Sequence, residues 1–332
     1  MSDIFKGSGY FDTESGIPIT PTGSPKLSER DNPYLTKAEY IETPQAQGSG
    51  ITASSSIYTN GQLDKIILRA SAWVNKYCRR WFDTQKIDEY QSGFTVRPFN
   101  PRLVTVCTRN SPIQSIESIY IQVLQWFIQV QTTPLEGSYL QIQPDWGTFK
   151  IVPLLSSAGS GTGSPIPAAI LDKVPLGILW YRYTFGYGQA ITGHTLSQVS
   201  SGSPWTQYQP SDYNYQLWAP DQTTNIYVND MIQDTSVYDI DYPNGLVTFH
   251  SGLLSTDVVT ADFTTNNTLP YDIKYATILL TTRYILQGTQ NPMLYKSIGI
   301  TGTSYSYGDY EEQMEEIKET LKTYRKNTMT II

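Results

Sequence analysis

The sequence predicts an α+β protein in which three main helices, the first near residue 61 and two at the C-terminus, are separated by a long β-rich region. Apolar residues recur at steps of three and four in residues 61–82, 270–287 and 310–326, which is the spacing of one helical face. Between the first helix and the other two, short alternating runs rich in Tyr, Val and Ile are separated by Gly, Pro, Asn and Ser. This second pattern is typical of strands and turns.

The segment before the first helix has neither pattern. Residues 1–56 are rich in Ser, Gly, Pro and Thr and contain only a short turn-prone piece, NPYLTKAEYIE. Such a composition predicts an extended N-terminal arm that is mobile or orders against a neighbouring molecule.

The first helix, predicted over 61–82, carries two opposed stripes. The apolar stripe predicts a buried face and consists of Leu63, Ile66, Ile67, Ala70, Trp73, Val74, Tyr77, Cys78 and Trp81. The basic stripe consists of Lys65, Arg69, Lys76 and Arg80, which fall within roughly 60° of one another if each residue turns about 100°. Three interpretations of the basic stripe stay open: a solvated face, the lining of a DNA passage, or a surface that pairs with the Glu-rich last helix of a neighbour.

Residues 91–224 predict β structure with long loops. The run SIESIYIQVLQWFIQVQ predicts a long hairpin or a bent strand, and ILWYRYTF predicts a strand that ends at Gly186. Residues 191–222 are polar and aromatic without a clear period, so we expect a long surface excursion there.

Residues 225–267 predict a small antiparallel β module. In VYDIDYPNGLVTFH, Tyr238, Ile240 and Tyr242 alternate with Asp239 and Asp241, and the following Asn-Gly pair suits a tight turn. This pattern predicts a hairpin, to which VVTADF adds a third strand and NIYVND a fourth.

The two closing helices carry narrow apolar stripes and differ in charge. The stripe of 270–287 includes Ile273, Ala276, Leu280 and Tyr284, and that of 310–326 includes Met314, Ile317, Leu321 and Tyr324. The last helix has five acids in its first half, Glu311, Glu312, Glu315, Glu316 and Glu319, and ends with Lys322, Arg325 and Lys326, as the helix dipole favours. The tail, 327–332, is apolar and free to pair as a strand through Met329, Ile331 and Ile332.

Composition excludes several classes of protein. The chain has 332 residues and a net charge of −7, and this charge argues against sequence-specific DNA binding. Its 25 Tyr, 7 Trp and 10 Phe suit strands and subunit interfaces. Cys78 and Cys107 do not have the spacing of a disulfide framework or a metal site. No apolar run approaches the ~20 residues that span a bilayer, and the start of the chain has no signal-peptide pattern. We therefore expect a soluble cytosolic protein without a membrane partner.

No residue pattern points to catalysis. His194 and His250 lie in polar surroundings and are expected to be surface residues. Asp239 and Asp241 with the Asn-Gly pair lack the ligand spacing and the distant Glu of a calcium loop. We predict a protein that is not an enzyme and has no catalytic, cofactor-binding or metal-binding residues.

The order of these elements resembles a known family. The segment LDKIILRASAWVNKYCRRWF follows a polar leader, strands around NSPIQSIESI come next, and LPYDIKYATILLTTRYIL, KSIGITGTSYSY and a capped helix ending in KTYRK close the chain. This order resembles the head-tail connector (adaptor) proteins of tailed bacteriophages over 60–82 and 268–326, and the middle of the chain resembles them only in style.

The resemblance implies a fold and a set of partners. Residues 57–90 and 268–326 would form a small helical bundle with a large β-rich insertion, and the subunits would assemble into a ring, commonly of twelve, in the neck of the virion. The implied partners are other copies of the chain, the portal protein, a tail terminator or other neck protein, and genomic DNA through transient nonspecific contacts in a central channel. The apolar stripes of the first two helices would pack in the bundle and between subunits. The last helix and the tail would face the portal, and assembly would take place in the cytoplasm of the host bacterium.

The aromatic β region also suits another class of protein, a glycan-binding module of a phage tail or baseplate. Trp146, Trp205 and Trp218 would then stack on sugar rings. The acidic balance favours the connector, because DNA must pass through its channel without adhering.

Overall fold

The chain folds into two compact units in the computed structural model. Unit 1 comprises residues 1–30 and 84–186, and unit 2 comprises residues 31–83 and 187–332. The structure describes residues 27–48, 50–55, 61–92, 104–123, 126–130, 140–151, 178–199, 205–289 and 307–326.

The described residues of unit 1 form two antiparallel sheets. Its strands are β1 (Gln85–Ser92), β2 (Val104–Cys107), β3 (Ile113–Val123), β4 (Trp126–Val130), β5 (Leu140–Gln143), β6 (Thr148–Ile151) and β7 (Ile178–Phe185). One sheet has the order β1-β7-β3-β4 and the other the order β2-β6-β5. Aromatic residues of β7 form much of the core, because Tyr181, Tyr183 and Phe185 are buried in succession and Phe149 of β6 meets Tyr181 edge to face at 5.2 Å.

The strands described in unit 2 also form two antiparallel sheets. Its strands are β8 (Gln189–Thr195), β9 (Ser197–Gln198), β10 (Trp205–Gln209), β11 (Asn225–Val228), β12 (Met231–Ile232), β13 (Tyr238–Asp241), β14 (Leu246–Leu253) and β15 (Val259–Thr265). The orders are β13-β14-β10-β9 and β12-β11-β15-β8. Both sheets contribute to one core, in which Trp218 stacks on Phe263 with ring centroids 4.3 Å apart.

The helices described by the structure all belong to unit 2. They are α1 (Lys37–Ile41), α2 (Pro44–Gly48), α3 (Gln62–Cys78), α4 (Tyr271–Thr289) and α5 (Tyr307–Lys322). Helices α3, α4 and α5 share a second core of unit 2, and α1 and α2 pack on α3 and α4 in a third.

The predicted fold class is wrong. The described residues form a mostly β protein, with four antiparallel sheets and small helical parts, rather than a helical bundle that carries an insertion. The physical reason is that the β regions bury apolar side chains among themselves, as the aromatic core of unit 1 and the Trp218 core of unit 2 show. A region with its own core is a principal part of the fold and does not depend on the helices for burial.

Several local predictions are confirmed. Strands β3 and β4 pair as a hairpin, which is one of the two predicted alternatives, with Ile119 opposite Val130. Strands β13 and β14 form the second hairpin, whose turn includes Gly245 at φ 60°. Strand β15 also forms, but it pairs with β11 and β8, so the predicted module is divided between two sheets.

The surface excursion predicted for 191–222 is wrong over the described residues of that stretch. Strands β9 and β10 lie there, and Leu196, Tyr208, Leu217 and Trp218 are buried. Trp218 also forms a β bridge with Thr265. Aromatic side chains without a clear period therefore fill the space between strands in this region.

Part of the predicted arm packs into unit 2. Tyr34, Leu35, Tyr40, Ala46 and Ile51 are buried, and α1 and α2 lie within this stretch. Residues 1–26 of the arm lie outside the described residues.

Candidate functional site

The three main helices meet along their apolar faces. On α3, Leu63, Ile67, Ala70 and Val74 are buried, while Ile66, Trp73 and Tyr77 are half-buried. On α4, Ile273, Ala276 and Leu280 are buried and Tyr284 is half-buried; on α5 and just beyond it, Ile317 and Leu321 are buried and Met314 and Tyr324 are half-buried. Val74, Ile273, Leu280, Ile317 and Leu321 belong to one core, whereas Leu63 and Ile67 belong to the core shared with α1 and α2.

Helix α3 ends four residues earlier than predicted. Arg79 adopts a left-handed conformation at φ 59°, and its backbone N–H donates to the Asn75 carbonyl oxygen. The backbone N–H of Arg80 donates to the same carbonyl at 3.3 Å, and that of Lys326 donates to the Cys78 carbonyl at 3.0 Å. These bonds satisfy carbonyls that the helix end leaves open, so the chain turns away before Trp81.

This early end divides the predicted basic stripe. Lys65, Arg69 and Lys76 are exposed on α3, and the Arg69 guanidinium lies 4.4 Å from the centroid of the Tyr284 ring. Arg80 lies beyond the helix, 4.7 Å from the Phe82 ring centroid and 5.9 Å from that of Tyr324. Desolvation by burial lowers the pKa of Arg80. Three of the four predicted cations therefore share the surface, and the fourth packs among aromatic rings.

The outer face of α5 is acidic. Its exposed carboxylates are those of Glu311, Glu312, Glu315, Glu316 and Glu319. Ion pairs within the helix join Lys318 to Glu315 at 2.7 Å and Lys322 to Glu319 at 3.1 Å.

The predicted portal-facing residues are only partly described. Arg325 is exposed, and its guanidinium lies 5.5 Å from the centroid of the Tyr77 ring. Lys326 is half-buried at the end of α3. Met329, Ile331 and Ile332 lie outside the described residues.

A groove lies beside the basic face of α3. It has a volume of about 290 Å³, its apolar walls include Leu35, Ile67 and Leu68, and Asp64, Lys65 and Asp241 also line it. Desolvation by burial, together with the charge of Asp241, raises the pKa of Asp64, although Lys37 at 3.7 Å acts in the opposite direction.

A buried polar network behind α3 was missed by the sequence analysis. The Tyr34 hydroxyl donates to the Asn75 side-chain oxygen and accepts the backbone N–H of Phe82 at 3.1 Å. The Asn75 amide donates to Asp31 at 2.8 Å, and the indole N–H of Trp81 donates to the same carboxylate at 3.1 Å. Burial raises the pKa of Tyr34 well above its usual range, which keeps the hydroxyl protonated as a donor. Asn75 within an apolar helical face was the signal available in the sequence.

A second polar cluster lies in unit 1. The Glu89 carboxylate accepts the hydroxyls of Tyr181 at 2.8 Å and Tyr183 at 2.6 Å, and the backbone N–H of Arg109 at 3.0 Å. Burial raises the pKa of Glu89 in spite of these three donors. Next to it in β1, Asp88 is buried and holds Arg182 through two bonds of 2.8 and 2.9 Å. Both arrangements suit structural support of the sheet.

The three tryptophans proposed to stack on sugars have different environments. Trp146 is 83% exposed on a turn that Gly147 closes with a left-handed backbone, at φ 60°. Trp218 is buried, and its indole N–H donates to the Tyr215 carbonyl oxygen, so it is not available to a ligand. The side chain of Trp205 lies outside the described residues.

Within the described ranges, no group of three or more His, Cys, Asp or Glu side chains could hold a metal ion. None of the helices in the described part of the chain is both long enough and apolar enough to cross a bilayer.

No protein-family model matches the chain, and no curated protein shows significant similarity to it.

Proposed function

We propose that this protein is a head-tail connector subunit of a tailed bacteriophage. It forms a ring between the portal and the tail or the next neck protein, and the ring leaves a central channel for DNA. The observation that carries the proposal is the shared core of α3, α4 and α5, which come together in the chain order that the resemblance implies.

The surfaces of the same helices support the proposal. A ring subunit needs two different exposed surfaces that complement each other on neighbouring copies. Helix α3 exposes the cations Lys65, Arg69 and Lys76, and α5 exposes a row of glutamates. The net charge of −7 also suits a conduit, because an acidic surface repels the phosphates of passing DNA.

Purified protein mixed with the portal protein of its phage tests the proposal. Light scattering should show a large complex, and negative-stain microscopy should show rings, either of the protein alone or on the portal. The portal alone and the protein alone serve as controls for spontaneous association. A protein that stays monomeric and leaves the portal unchanged would contradict the proposal.

Trp146 favours a second candidate function, glycan binding. An exposed indole can stack on a sugar ring. A glycan array probed with wild type and with Trp146→Ala tests this candidate. Binding that disappears in the variant would support it, and an array without signal for wild type would remove it.

A further inference from the structure

We propose that the acidic face of α5 in one copy docks on the basic face of α3 in a second copy. The basic face is Lys65, Arg69 and Lys76, and the acidic face is Glu312, Glu316 and Glu319. This inference rests on the proposed ring and identifies the contact between its neighbouring subunits.

The two faces have matching spacing. Arg69 and Lys76 are seven residues apart, as are Glu312 and Glu319. Seven residues make two turns and a rise of about 10.5 Å, so both pairs project from one side of their helix at nearly the same separation. Two ion pairs can therefore form at once when the helices lie side by side.

The two faces do not pair with each other within one chain, although Glu319 pairs with Lys322 on its own helix at 3.1 Å. Over the described residues, no ion pair joins Lys65, Arg69 or Lys76 to a glutamate of α5. Contacts within the chain instead orient the groups, because Arg69 lies on the Tyr284 ring and Glu316 accepts the Tyr275 hydroxyl at 3.1 Å. Charged groups that are already oriented lose less conformational freedom on binding.

The charge of the chain favours a second copy over DNA as the occupant of the basic face. With a net charge of −7, the protein repels the long run of phosphates on a duplex. A row of glutamates is the complementary surface, and the same chain exposes one on α5. The two faces differ, so the contact is head to tail and can close into a ring.

Paired charge reversals test the contact. One variant carries Arg69→Glu and Lys76→Glu, and the other carries Glu312→Lys and Glu319→Lys. Each alone would place like charges together at every contact, and we expect assembly to weaken on the order of tenfold or more. In an equal mixture each contact can again join opposite charges, so alternating copies should assemble. The fourfold variant should assemble by itself for the same reason.

A matched control carries Lys86→Glu and Lys150→Glu in unit 1, which changes the net charge as much as the first variant does. It should assemble like wild type. Sedimentation velocity with and without the portal measures assembly, and circular dichroism checks that each variant is folded.

The outcomes separate this contact from the proposed function. If wild type assembles and the double variants assemble equally well, the contact is wrong and the ring stands. If the reversals of α3 reduce DNA binding and leave assembly unchanged, the basic face belongs to DNA and the contact is wrong. If wild type stays monomeric even with the portal, both proposals fail. Rescue by the mixture without any effect on the portal would support the contact and contradict the connector.

Discussion

Removing the Tyr34 hydroxyl should destabilise unit 2 more than the loss of one hydrogen bond does elsewhere. Tyr34 is fully buried, and its hydroxyl serves both the Asn75 side-chain oxygen and the Phe82 backbone N–H. In Tyr34→Phe both partners stay buried but each loses its bond to the hydroxyl. Each buried polar group left without a partner lowers the free energy of unfolding by about 1–3 kcal/mol. The substitution leaves almost no cavity, so we expect a loss of about 2–4 kcal/mol in the free energy of unfolding.

Tyr40→Phe is the matched control. Tyr40 is equally buried, and its hydroxyl bonds to the Thr282 hydroxyl, a partner that has a second bond of its own because it donates to the Ile278 carbonyl. The control should therefore lose only about 0.5–1.5 kcal/mol. Helix α3 belongs to unit 2, so amide hydrogen exchange of α3 peptides across a urea series reports on the stability of that unit. Equal losses in the two variants, or a loss below about 1 kcal/mol in Tyr34→Phe, would refute the role of the network.

Three further substitutions test other parts of the structure. Asp88→Ala should cost about 3–5 kcal/mol in urea unfolding, because it leaves the Arg182 guanidinium without its buried carboxylate. Glu89→Gln tests the pH dependence. The raised pKa of Glu89 means that the folded state holds the proton more tightly, so wild type should gain stability relative to Glu89→Gln as pH falls through that pKa. Gly245→Ala should lower the free energy of unfolding by about 2 kcal/mol or more, as thermal unfolding would measure. Gly245 has a φ of 60°, and the Cβ of the alanine would lie 2.4 Å from the backbone oxygen of Gln216.

Each of these has its own control or contrary result. The control for Asp88→Ala is Asp239→Ala, which removes the exposed partner of His250 and should change the free energy of unfolding far less. Equal effects of the two substitutions would contradict the stabilising role of the buried Asp88–Arg182 pair. A stability difference between wild type and Glu89→Gln that is constant from neutral to acidic pH would contradict the raised pKa of Glu89. Gly193→Ala has a similar φ of 63° and open space around it, so a comparable loss there would show that the close contact at Gly245 is unimportant.

Regular patterns in the sequence predicted the local elements well. The apolar stripes located α3, α4 and α5, and strict alternation located the β13–β14 hairpin. Short-range rules predict such elements because side chains three or four apart share a helical face and alternate side chains share a strand face. These rules did not predict the end of α3. Arg79 adopts a left-handed conformation there, and the backbone N–H of Lys326, which is distant in sequence, donates to the carbonyl of Cys78.

The relative weight of helix and sheet could not be predicted in the same way. Trp218 and Tyr208 have no periodic neighbours in the sequence, yet both are buried among strands that come from different parts of the chain. Tyr34 likewise lies in a polar leader and is buried against α3. Long-range packing decided these positions, whereas the resemblance implied a small helical bundle in which the β region is only an insertion.

The candidate surface was partly predictable. Charge spacing identified Lys65, Arg69 and Lys76 as one exposed face, and it identified the glutamates of α5. It also assigned Arg80 to the basic face, although that side chain packs against Phe82 and Tyr324. Periodicity alone does not reveal where a helix stops, and Arg80 lies just past that point.

Native mass spectrometry of the full chain with its portal protein tests the central claim most directly. Each subunit has a mass of 37.4 kDa, so a closed ring adds one whole multiple of that value to the mass of the portal. The account predicts a single ring species, of twelve copies if the protein follows the resemblance, bound to the portal. A mass of one subunit at all concentrations, with the portal mass unchanged, would contradict it.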